Sequence, residues 1–171
     1  MSDANDWQAF GRASWGPVRV SRRGDAVVAT VGRATVQIDL TDPRPASERQ
    51  REPWRSPFDA GVPVVVDGTR AGTITRPSGA AGLVRRRRHD VAGDGALALP
   101  GLRFTDRGLP TLLTLRSDRG VLVTSRRWAA PLNMLVTEFS FVREHDLVPP
   151  RVSSDATDEH VALWFAMREC L

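Results

Sequence analysis

The amino-acid sequence predicts a single mainly β domain, an antiparallel barrel with an apolar helix at its C-terminus. Three features predict it: short segments rich in valine and threonine separated by turn signals, an Asp-Gly pair between two such segments, and an uninterrupted apolar run at 161–167. A chain of 171 residues is long enough for one domain with a substantial core.

The first strands are predicted between residues 18 and 40. Residues 18–20 and 26–31 are rich in valine, and in segment 34–40 the apolar residues Val36, Ile38 and Leu40 alternate with polar ones. Because side chains alternate between the two faces of a strand, this pattern indicates a strand with one buried face.

The clearest local signal is a β-hairpin. Residues 64–69 contain Asp67 and Gly68, a pair that readily adopts the positive φ angles of a tight hairpin turn, and the second segment follows at 72–75. Further turns are predicted at 76–79, 92–95 and 117–120, and a last strand at 134–142. Short strands separated by such turns are typical of a barrel or a sandwich.

Two segments are predicted to lie outside the regular sheet. Residues 1–14 form an N-terminal arm, either frayed or a short helix that packs Trp7 and Phe10, and residues 15–171 form the domain. Residues 41–63 contain five prolines around a charged run, and proline lacks the backbone donor that a sheet needs. We interpret 41–63 as a long surface loop.

A helix is predicted from about residue 156 to residue 171. Pro149 and Pro150 end the sheet, Ser153 to Asp155 offer N-cap side chains, and Asp158 and Glu159 suit the positive end of a helix dipole. The run 161–167 is apolar on every helix face. Two packing arrangements follow: burial inside the barrel, or an amphipathic helix on a sheet face with Asp158, Ala162, Ala166 and Glu169 as its solvent-exposed side.

Composition excludes several classes of function. All 24 basic residues are arginine, which indicates the codon bias of a GC-rich bacterial genome, so arginine content alone does not argue for nucleic acid. The net charge is only +4. One cysteine, no signal segment and no apolar run near the ~20 residues that cross a bilayer predict a cytoplasmic protein that does not span the membrane.

Two basic clusters are the candidate sites for an anionic ligand. The first is Arg85, Arg86, Arg87, Arg88 and His89, which we expect at an exposed strand end or hairpin tip, because alternation along a core strand would bury two of the charges. The second is Arg126, Arg127 and Trp128. The alternative interpretations are a solvated hairpin for the first cluster and a core or rim tryptophan for the second.

No other pattern indicates catalysis or a cofactor. The three histidines lack the spacing of a zinc site, no Gly-x-Ser-x-Gly elbow accompanies Glu144, His145 and Asp146, and no phosphate-binding glycine loop is present. Cys170 is interpreted as a packing residue. The sequence therefore predicts a protein that is not an enzyme and holds no cofactor or metal.

The hairpin at 64–74, the strand-turn-strand at 112–124 and the apolar helix segment 161–167 together resemble the tubby C-terminal-like superfamily, which includes phospholipid-scramblase-like and LURP-one-related proteins. The resemblance covers residues 62–171. It implies a barrel of about twelve strands around a central C-terminal helix, and a lipid-binding or membrane-proximal adaptor.

Three hypotheses of function follow from these features. The first is a β-barrel that binds anionic lipid headgroups or a membrane-associated partner through an arginine-rich rim. The second is a protein-protein interaction module that uses the Pro-rich stretch and an exposed Trp54. The third is an enzyme or a small-ligand barrel with its site in an internal cavity, which a buried helix would fill. Nucleic acid is not an expected partner.

Overall fold

A computed structural model describes residues 7–9, 18–53, 55–77, 88–106, 113–125 and 150–171, with only the backbone of 7–9. The described chain is mainly β, with a helix at the C-terminus, as the sequence predicts. Trp54, residues 78–79 of the turn predicted at 76–79, and the predicted strand at 134–142 lie outside the described residues.

In the described part of the chain, eleven strands form one antiparallel sheet in which each strand pairs with the next along the chain. This sheet is open, and the first and last of these strands lie at its edges. Their bounds are β1 Trp7–Ala9, β2 Val18–Arg23, β3 Ala26–Val31, β4 Ala34–Asp39, β5 Val62–Val66, β6 Thr69–Thr75, β7 Arg88–Gly93, β8 Arg103–Asp106, β9 Leu113–Ser117, β10 Gly120–Thr124 and β11 Arg151–Val152.

The predicted strands at the start of the domain are confirmed. In β4, Ala34, Val36 and Ile38 are buried and alternate with partly exposed polar residues. The N-terminal arm differs from both predicted forms, because Trp7–Ala9 pair with β2 as a strand.

The Asp-Gly hairpin is also confirmed. Asp67 and Gly68 have φ angles of 49° and 81° and connect β5 to β6. The Asp67 carboxylate accepts a hydrogen bond from the Thr35 amide at 2.8 Å, and the Asp67 amide donates to the Thr35 carbonyl at 2.8 Å. The turn is therefore fixed to the neighbouring hairpin.

The Pro-rich stretch contains more structure than the predicted loop. Helix α1 (Ala46–Arg51) and a 3-10 turn (Pro57–Asp59) lie within it, and β5 already begins at Val62 and includes Pro63. Proline is tolerated there because the β4–β5 pairing begins one residue later, at Val64. We call residues 41–61 the strap.

Helix α2 (Asp158–Arg168) is shorter than the predicted 156–171, and its N-cap is Thr157 rather than one of residues 153–155. Every residue from 160 to 167 is buried, including Ala162 and Ala166, which an amphipathic helix would expose. The helix contacts β2, β3 and β4 on one side of the sheet order and β9 and β10 on the other. The described sheet therefore curves around α2, and strands from both halves of the sheet order pack against the helix.

Candidate functional site

The antiparallel meander sorts the connections between strands into two groups. Connections alternate between the two ends of the sheet, so β3–β4, β5–β6, β7–β8 and β9–β10 share one end, which we call the turn end. The β2–β3, β4–β5, β6–β7, β8–β9 and β10–β11 connections share the other, the loop end. The three longest of these five cover residues 40–61, 76–87 and 125–150. Long connections carried by a rigid sheet are where binding residues concentrate.

Most residues of the two predicted basic clusters lie outside the described residues. Arg85, Arg86 and Arg87 belong to the β6–β7 connection, and Arg126, Arg127 and Trp128 to the β10–β11 connection. The strands that flank both connections end at the loop end. Trp54 belongs to the strap, whose flanking strands β4 and β5 end there too. The topology thus attaches all three sequence-predicted features to one end of the sheet.

Arg88 is placed as the sequence predicts, at a strand end. It is the first residue of β7 and is exposed. Its Nε donates to the Asp90 carboxylate at 2.7 Å, so its charge is offset by an acidic neighbour on the same face. An exposed pair of this kind contributes little to stability, so Asp90 leaves Arg88 able to contact a ligand.

His89 does not belong to the exposed cluster that the sequence predicts. Its side chain faces the interior and is 1% exposed, and neither ring nitrogen has a hydrogen-bond partner among the described residues. Burial, and next the nearby Arg76 guanidinium, lower its pKa from 6.5 to about 4. The imidazole is therefore neutral at pH 7. The sequence does contain an indication of this burial: His89 lies two residues before the apolar Val91, so both side chains lie on the same strand face.

The strap is anchored to the sheet beside His89. The Phe58 ring lies edge-on to the His89 ring, with centroids 4.7 Å apart, and Phe58 is buried. The Arg76 amide donates to the Phe58 carbonyl at 2.9 Å, and the Arg76 guanidinium lies 3.7 Å from the Asp59 carboxylate. The Asp59 carboxylate also accepts from the Ser56 amide at 3.0 Å, which fixes the 3-10 turn. The sequence analysis did not predict the contact between Phe58 and His89.

A second group of bonds shapes the strap itself. The Arg44 guanidinium donates to the Asp42 carboxylate at 2.6 Å and to the carbonyls of Arg55 and Glu52 at 3.1 and 3.4 Å. The hydrogen bonds from Arg44 lower the pKa of Asp42 to about 2. Helix α1 buries none of its residues, and Arg49 and Arg51 on it are exposed. The strap is therefore held in shape by polar bonds rather than by burial of its helix.

A row of outward-facing side chains crosses five strands at the loop end. The pairing register places one residue of each strand side by side, and the threonines of the row alternate with buried residues of the inner face. The hydroxyls of the last two threonines lie 2.8 Å apart. This rim row consists of Arg88, Thr105, Thr114, Thr124 and Arg151.

Other kinds of site find no support in the described part of the chain. No three His, Cys, Asp or Glu side chains there are grouped so that they could hold a metal ion. The Cys170 thiol donates to the Ala166 carbonyl at 3.1 Å, and burial raises its pKa to about 12. None of the described helices has the length and apolar character to cross a membrane.

Comparison with known proteins finds no matching family model, no similar curated protein and no similar solved structure. The resemblance to the tubby C-terminal-like superfamily stays a prediction.

Proposed function

We propose that this protein is a non-enzymatic binding domain, a tubby-like barrel around α2. In this proposal its arginine-rich rim at the loop end binds anionic lipid headgroups or a membrane-associated partner. One observation carries the proposal: the meander attaches both basic clusters and the strap to the same end of the sheet. A cytoplasmic protein with such an end would meet the anionic inner surface of the membrane.

The packing of α2 supports a site on the outside of the domain. Eight consecutive helix residues, 160–167, are buried, and α2 packs against strands from both halves of the sheet order. The ligand pockets of enzymes are concave cavities, often at the mouths of barrels. A filled interior favours binding through the surface and the long connections instead.

In this proposal the attraction comes from arginines at the loop end whose charge no acidic neighbour offsets. Four ion pairs neutralise described arginines at the loop end: Arg44 with Asp42, Arg55 with Glu52, Arg76 with Asp59, and Arg88 with Asp90. Other described arginines are exposed at the same end and belong to none of these pairs: Arg22, Arg23, Arg49, Arg51 and Arg151. Residues 85–87 and 126–127 add five more arginines in the sequence, and each basic residue contributes about 1 kcal/mol near an anionic surface. The rim row adds hydroxyl groups that can donate to phosphate oxygens.

Vesicle flotation tests this proposal. The wild-type chain is compared with a triple variant in which Arg85, Arg86 and Arg87 are replaced by serine, using neutral vesicles and vesicles containing anionic lipid. We expect the wild type to bind only the anionic vesicles, and less strongly at higher salt, because mobile ions screen exposed charges. The variant should lose most of this binding.

A charge-matched control lies at the turn end. Arg33, Arg70 and Arg119 are exposed there, and replacing them with serine removes the same formal charge. If binding depends only on the net charge of the protein, both triple variants should lose the same amount of binding. That result would contradict a specific role for the arginines at the loop end. Failure of the wild type to bind either vesicle would contradict the lipid proposal.

The strap supports a second candidate function, a protein-protein interaction module. Helix α1 is shaped by the Arg44 bonds yet buries nothing against its own domain, an arrangement that leaves it accessible to a partner. A partner captured by the wild-type chain should be lost on Trp54→Ala and retained on Trp128→Ala. Retention of that partner by a chain lacking 43–57 would exclude the strap.

A further inference from the structure

The strap reaches the core of the domain through one side chain. Among the described residues between 41 and 61, Phe58 alone is buried. Its ring lies against the His89 ring with an interplanar angle of 68°. The neighbouring bond from the Arg76 amide to the Phe58 carbonyl holds the same turn to the end of β6. The docking of the strap therefore depends on the surroundings of His89.

The His89 imidazole is suited to this contact only in its neutral form. Both ring nitrogens are buried and have no hydrogen-bond partner among the described residues. Protonation would give the ring two donors and a charge, and a buried charge without acceptors is strongly unfavourable. The ring would then have to reach water, and Phe58 covers it.

Four charged groups act on His89 from the surrounding elements. Arg76, which follows β6, opposes its protonation, whereas Asp59 on the strap, Asp90 on β7 and Asp106 at the end of β8 favour it. Burial outweighs the three carboxylates, since the pKa of His89 falls to about 4. Opening the strap would remove both the burial and the nearby carboxylate of Asp59.

We propose that the strap is an acid-released latch, docked through Phe58 on neutral His89 and displaced when His89 takes up a proton. Release would expose the inner face of β7 at the loop end while the sheet and α2 stay folded. The device is independent of which ligand the loop end binds.

Amide hydrogen exchange tests the latch when the wild type is compared with His89→Phe at the same pH. This substitution keeps an aromatic ring against Phe58 but cannot titrate, and intrinsic exchange rates of the strap amides are the same in both chains. The reporting amides are Asp59, Ala60 and Arg76, whose acceptors lie on the strap. We normalise the wild-type-to-variant exchange ratio to its value at pH 7. With a His89 pKa of about 4 when docked and 6.5 when open, this ratio should rise about 20-fold by pH 5.

Two results would overturn the latch. One is a ratio that stays constant between pH 7 and pH 5. The other is an equal rise for core amides such as Val27 and Val36, which would indicate global unfolding.

If His89→Phe does not fold, Phe58→Ala gives a second test. The strap amides of this variant should exchange rapidly at both pH values. A pH dependence like that of the wild type would contradict the proposal. Among the described residues His160 is the other buried histidine. Placing His160→Gln in both chains should leave the rise of the wild-type-to-variant exchange ratio intact.

Discussion

The indole Nε1 of Trp164 donates a hydrogen bond of 3.0 Å to the carbonyl of Leu113, joining α2 to the first residue of β9. The same carbonyl accepts the Ser125 amide at 3.0 Å. Trp164 is 1% exposed and also packs edge-on against Phe165. The helix is thus joined to the sheet by a directed bond as well as by apolar packing.

Replacing Trp164 with phenylalanine should lower the free energy of unfolding by about 2 kcal/mol. The hydrogen bond contributes about 1 kcal/mol, and the smaller ring leaves a cavity. The Leu113 carbonyl keeps its bond from Ser125, which limits the loss. Urea denaturation measures the change, with Val121→Ala at an exposed position as control. An unchanged denaturation midpoint would show that the bond and the ring contribute nothing.

Stability should decrease as the pH falls below the ordinary histidine pKa of 6.5. Burial lowers the pKa of His160, so the unfolded chain binds more protons than the folded chain as the solution is acidified. The His160 Nδ1 accepts the Thr157 amide at 3.1 Å at the start of α2, and a protonated ring cannot accept it. His160→Gln keeps an acceptor and cannot titrate. Chemical denaturation at pH 7 and pH 5 should show a smaller loss for the variant; equal losses would contradict this role.

Gly68→Ala should destabilise the protein by about 1 kcal/mol through backbone conformation alone. Its φ of 81° disfavours a side chain, whereas an added Cβ would have no atom within 4 Å. Asp67→Asn is the matched control, because asparagine tolerates positive φ and keeps the acceptor for the Thr35 amide. Thermal unfolding should separate the two variants. A Gly68→Ala melting temperature equal to that of the control would mean that the turn adopts another form.

Local patterns predicted much of this fold. Alternation identified the buried face of β4, and the Asp-Gly pair located the β5–β6 hairpin, because both depend on neighbouring residues. Whether α2 was surrounded or lay on one sheet face could not be predicted, since an all-apolar helix segment is compatible with both. That outcome depends on how β2–β4 and β9–β10 approach one another in space.

The candidate site was less predictable. His89 follows four arginines, and composition groups it with them, whereas the strand begins at Arg88 and turns His89 inward. The contact between Phe58 and His89 joins residues far apart in the sequence, and no spacing rule connects them. Likewise, two of the Arg44 bonds that shape the strap go to the backbone carbonyls of Glu52 and Arg55, which leave no trace in residue types.

The central claim is that the sheet surrounds α2, and Ala162→Glu tests it most directly. Ala162 is fully buried here, whereas it would face solvent if α2 were amphipathic on one sheet face. The control is Leu171→Glu, which introduces the same charge at a position that is 51% exposed. We predict that circular dichroism will show loss of cooperative thermal unfolding for Ala162→Glu and near wild-type unfolding for the control, because an unpaired buried carboxylate is strongly destabilising. Cooperative unfolding of Ala162→Glu near the wild-type temperature would contradict a surrounded helix.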